Sequence, residues 1–172
     1  MKIETTLNRI KSHCPCQDGW GKLLKFLGKT EADDEPLNLL TILESNGVQD
    51  CLWAFRCTDN YDSIYRHIAA DFAESVLHIY ENKYPNDNRP RLSIQAARDF
   101  ADGKISAAAW AASAASAAWA ARAASSASAA AWAARAASAA ASSARAARAA
   151  SAAAWAAEIE KQKQIILNYL SC

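Results

Sequence analysis

The sequence predicts an all-α fold, a compact helical bundle with an alanine-rich C-terminal scaffold, and three observations carry that expectation. Every residue from Ala107 to Ala157 is Ala, Ser, Trp or Arg. No Gly or Pro occurs between Lys104 and the C-terminus. In the preceding hundred residues the apolar positions recur at three- and four-residue spacing, and no stretch alternates well enough to read as a strand. Alanine has the highest helix propensity, so helix is the only reasonable assignment for the tract. At 172 residues one domain is expected, with mixed-composition helices over 1–103 and the Ala/Ser/Trp/Arg scaffold plus a C-terminal helix over 104–172.

The elements follow in order. Leu7 to Lys11 opens the chain, and Gly19-Trp20-Gly21 precedes an apolar stripe of Leu23, Leu24, Phe26 and Leu27 that Gly28 ends. Asp33, Asp34 and Glu35 with Pro36 read as the start of a helix over Leu37 to Leu43, since acids favour the positive end of the helix dipole. Gly47 separates off a segment through Trp53 and Phe55. From Tyr61 to Tyr84, Ile64, Ile68, Phe72, Val76, Ile79 and Tyr80 mark a long amphipathic helix that Pro85 stops. A turn over residues 86–90 leads into a helix from Leu92 to Ala101, which Gly103 closes.

The alanine tract holds 34 Ala, nine Ser, four Trp and four Arg. As one straight helix it would run roughly 75 Å, against a radius of gyration of about 16 Å for a compact chain of this size. It is therefore expected to fold back into several packed helices. The favoured corners are Ser125-Ser126-Ala127-Ser128 and Ser142-Ser143, where hydroxyls compete for backbone groups and cap new helices.

Charge narrows the function. Residues 1–106 carry 13 Lys+Arg against 16 Asp+Glu, whereas residues 107–157 carry four Arg and no acid, for a formal net charge of +1. A chain this close to neutral is not expected to bind nucleic acid, which calls for a strongly basic face. Met1 to Lys11 is too polar for a signal peptide, and Ser and Arg interrupt the alanine too often for a membrane span, so a cytoplasmic protein is expected. Five cysteines at irregular spacing read as free thiols. His13, Cys14 and Cys16 lack a fourth ligand and the usual two-residue gap between thiols, so no metal and no cofactor are expected. His67 and His78, 11 residues apart on one helix, have no partner motif and read as core-edge or surface residues. No nucleophile elbow, phosphate loop or HExxH pattern is present, and an enzyme is not expected.

The strongest internal signal is an identical repeat, with residues 117–125 recurring as residues 130–138. Each copy sets a Trp three residues before an Arg, Trp119 with Arg122 and Trp132 with Arg135, as neighbours on one helix face. Trp110 and Trp155 begin partial copies. An indole offers a stacking plane and a guanidinium a planar fork, a pairing suited to an anionic nucleotide. Arg145 and Arg148 are secondary candidates, as are Arg89 and Arg91, which flank Pro90 at a helix start where backbone N–H groups favour anions. In a straight helix the two copies would face about 140° apart, so they converge only through helix breaks or subunit association. The plainer reading gives the tryptophans a packing role and the arginines a solubilising one, and ties Arg89 or Arg91 to a carboxylate such as Asp87 or Asp99.

Asn88-Arg89-Pro90-Arg91, then Ser93 to Ala97, then Gly103 to Ser106 and an alanine tract resemble the Imm5-like family of immunity proteins of bacteria and phages. Family members tend to show DRPR-x-AIEAA, then G-x-I-S, then alanine punctuated by aromatic and charged residues; here Asn88 replaces the acid. An upstream C-x-D-G pattern matches Cys16 to Gly19, followed by Trp20. The resemblance implies a protein that neutralises something by binding it, and it supplies no catalytic motif. Two readings follow. The chain is expected to sequester an anionic, nucleotide-like immune signal as a phage counter-defence sponge, or alternatively to block a toxin protein by direct contact. A pocket lined by converging Trp and Arg favours the first, and outward-facing Trp the second. A homo-oligomer is expected in either case.

Overall fold

The computed structural model describes residues 2–116 and 144–171, with side chains over 2–116 and 155–171. The chain is all-α, as predicted. The described residues belong to two compact units, one built from residues up to Ile68 together with Ile159 onward, the other from Ala69 to Glu158. The expected corners at Ser125–Ser128 and Ser142-Ser143 lie outside the described residues.

In the first unit a two-residue strand β1 (Glu4–Thr5) pairs antiparallel with β2 (Leu37–Asn38), Glu4 opposite Asn38 and Thr5 opposite Leu37. Sequence alternation cannot reveal so short a pair. Helix α1 (Leu7–Ser12) is capped by Thr6, whose hydroxyl accepts from the Arg9 N–H at 3.1 Å. Helix α2 (Gln17–Leu27) ends at Gly28 in the left-handed region, φ 66°, as its glycine predicts. Helix α3 (Leu39–Asn46) departs from expectation, because it begins at Leu39 under a cap from Asn38, whose Oδ1 accepts from the Leu40 N–H at 2.9 Å. Pairing with β1 holds Leu37 and Asn38 extended, so the helix cannot start earlier, and Asp33 and Glu35 instead both accept from Lys29 Nζ. Helix α4 (Val48–Ala54) and a 3₁₀ turn at Phe55–Cys57 complete this stretch. Helices α5 (Asp62–Lys83) and α8 (Ala144–Leu170) each contribute to both units.

Ile3, Leu7, Leu39, Cys51, Cys57, Ile68, Ile166 and Leu170 of this unit are all but fully buried. Thr5 is buried among them and donates its hydroxyl hydrogen to the Cys57 carbonyl at 2.6 Å, which satisfies a polar group that would otherwise be costly there. Burial pushes the Cys51 thiol up to about 12, the state of an inert core residue.

The second unit is organised by α5 and α6 (Arg89–Ala101). Ala70 and Leu77 of α5 bury against Ile94 of α6, with Ala97 alongside. Helix α6 begins three residues earlier than the apolar spacing suggests. Pro90 sits in its first turn, where a missing N–H costs nothing. Gly103, φ 71°, closes the end, and residues 107–116 form α7 as the tract's composition predicts.

Candidate binding surface

The turn between α5 and α6 carries the sequence motif, and it is tied by charge. Arg89 donates from Nε and Nη2 to the two oxygens of Asp87 at 2.8 and 2.6 Å, and its backbone N–H donates to the same carboxylate. Tyr80 adds its hydroxyl to Asp87 at 2.7 Å. The Arg89 guanidinium, then the Tyr80 hydroxyl, hold the Asp87 carboxyl far below the ordinary range. Arg91 forks onto Glu81 with two 2.7 Å bonds and lowers that carboxyl in turn. Further along, Arg98 joins Asp71 and Glu74. As the α6 number rises the α5 partner number falls, so the two helices run antiparallel.

Both arginines flanking Pro90 therefore hold carboxylates. The sequence anticipated Asp87 for this role, but Asp99 accepts from Gln95 and lies beside Lys104. Glu81 was not anticipated, since its pairing with Arg91, ten residues further along the chain, depends on the register of two helices. Trp110 stacks on Phe100, ring centroids 5.2 Å apart and planes within 8°, and is half-buried. Trp155 on α8 stands 65% exposed. Below it on the same helix Glu158 accepts from the Ser75 hydroxyl at 3.0 Å. Trp119, Arg122, Trp132 and Arg135 lie outside the described residues, as do the side chains of Arg145 and Arg148.

Other expectations can be placed. Cys14, Cys16, Cys51 and Cys57 are free thiols, the first two exposed. His67 is half-buried and His78 exposed. Among the described residues no three His, Cys, Asp or Glu side chains gather as a metal site, and no described helix is long and apolar enough to cross a membrane.

Two exposed aliphatic residues, Ile79 and Leu92, accompany Trp155 in the second unit. The second unit thus offers exposed apolar and aromatic side chains, and its described arginines Arg89, Arg91 and Arg98 are already held by acids. Residues 65–165 match the model of a family described as Imm-5 like putative immunity protein, a span that contains the whole second unit and leaves Cys16 to Trp20 outside. No curated protein and no solved structure matches the chain.

Proposed function

The chain belongs to the Imm-5 like family of immunity proteins, and we propose that it neutralises a toxin by direct protein contact, without turnover, through the surface that carries Trp155. The observation that supports this reading is the exposure of Trp155 within the family's own segment. An isolated exposed aliphatic residue is ordinary. An indole left two-thirds in water is less so, and tryptophan is the residue most enriched among energetic anchors of protein interfaces. Ile79 and Leu92 add apolar surface in the same unit.

The test is co-expression with a panel of candidate toxins, together with calorimetric titration of the purified chain with each toxin it protects against. Growth protection with one-to-one binding is the expected result; protection without binding would contradict direct contact.

A second reading rests on a different observation, the identical Trp-x-x-Arg repeat, which helix formation does not require. In that reading Trp119, Arg122, Trp132 and Arg135 hold an anionic nucleotide. Calorimetry against cyclic and ADP-ribose-type nucleotides, with the ligand recovered intact after heat denaturation, is its signature. There Arg135→Ala should lower affinity about tenfold or more by removing a charge-assisted hydrogen bond. Absence of binding across the panel would remove it.

A further inference from the structure

We infer that a small pocket in the first unit, lined by Trp20, Trp53 and Asp50, receives the cationic head of an arginine or lysine side chain from the bound protein partner. The pocket lies among α1 to α4, with Leu23 and Ile42 as apolar lining. It is outside the family's matched segment. The assignment rests on the reading of the chain as a protein that binds another protein.

Three features converge. Asp50 has no cationic partner among the described residues: its carboxylate accepts from Asn46 Nδ2 at 2.7 Å, and no Lys, Arg or His pairs with it. Its surroundings hold it in place. Asn46 Nδ2 also donates to the Gly19 carbonyl at 2.8 Å, and a Cβ at residue 19 would stand 2.7 Å from Asp50 Oδ2, so the glycine leaves the carboxylate room where it sits. Two indoles line the same space, and an indole face attracts cations.

Size decides what enters. Water-sized occupants have about 30 Å³ inside an open basin of about 340 Å³. Sites for whole small molecules run to roughly 300–1,000 Å³ of enclosed space. The head of one side chain, presented by a larger body resting on the rim, matches the narrow part, and a free ligand of ordinary size does not.

Cys16 lines the pocket with an exposed thiol and reports its occupancy. In a Cys14→Ser background, alkylation of Cys16 is read on the tryptic peptide Ser12–Lys22, with N-acetyl-arginine amide and its neutral isostere N-acetyl-citrulline amide as competitors. The arginine amide should protect Cys16 and the citrulline amide should not. Asp50→Asn should weaken protection about tenfold, the scale of one charge-assisted contact. Added salt should weaken it in the unaltered pocket by screening. Equal protection by the two amides, or protection indifferent to both salt and Asp50→Asn, overturns the inference. Stronger protection by tetramethylammonium than by the arginine amide overturns the side-chain source in favour of a free organic cation. None of these arms contains a toxin, so failure of toxin binding counts against the proposed function and leaves the pocket's cation preference to stand or fall by itself.

Discussion

Asp87 gathers four hydrogen bonds into one carboxylate, three from Arg89 and one from Tyr80, and so fixes the chain's reversal between α5 and α6. Its folded-state pKa is depressed, chiefly by Arg89. A depressed carboxyl stabilises the fold fully above its unfolded value, about 3.9, and that contribution is lost as pH falls from there toward the folded value. The Tm of the wild-type protein should therefore exceed that of Asp87→Asn near neutrality, and the gap should narrow steadily as pH falls below about 4. A gap that stays constant across that range would show that the turn is held by something else. This pair was legible in the sequence because Asp87 and Arg89 are two residues apart. Arg91 with Glu81 was not, because the partner is chosen by how two helices align. The Asp50, Asn46 and Gly19 contact was hidden for the same reason: it joins residues 27 and 31 positions apart through tertiary packing.

Among elements, long periodic ones were readable and short non-local ones were not. Six apolar residues at helical spacing announced α5, and Gly28 and Gly103 announced two helix ends with the positive φ each requires. The acid cluster before Pro36 misled, since negative charge near a helix start is only a weak preference, whereas β1 pairing dictates where α3 can begin. The cap makes this measurable. Asn38→Ala should cost roughly 0.5–2 kcal/mol by leaving the Leu40 N–H without its acceptor, and Asp34→Asn should be close to neutral, as befits an exposed acid outside the helix. A larger loss from Asp34→Asn than from Asn38→Ala in denaturant unfolding would restore the acidic helix start. In the same first unit Ile166→Ala, at a fully buried position of α8, should cost about 2–5 kcal/mol. That loss would establish that the end of the last helix is part of the first unit's core.

At the scale of the whole molecule, the family's matched span contains the second unit, and the first unit supplies a separate pocket of its own. A face of alanines buries little area, and at about 25 cal/mol per Å² it needs close neighbours from its own chain or another copy. We expect a dimer or larger homo-oligomer by light scattering at micromolar concentration; a stable monomer would assign that packing to the chain alone. The family was legible in the sequence and the mode of action was not, because the residues at issue, tryptophan and arginine, serve cores, nucleotide sites and protein interfaces alike. Exposure separates these uses, and Trp155 is on the exposed side. Calorimetric titration of a toxin against which the chain protects, with the wild-type protein and with Trp155→Ala, separates an interface anchor from an idle surface residue. The variant should keep the wild-type Tm and lose affinity about tenfold or more, the mark of an interface anchor. Wild-type affinity in a stably folded Trp155→Ala variant would contradict it.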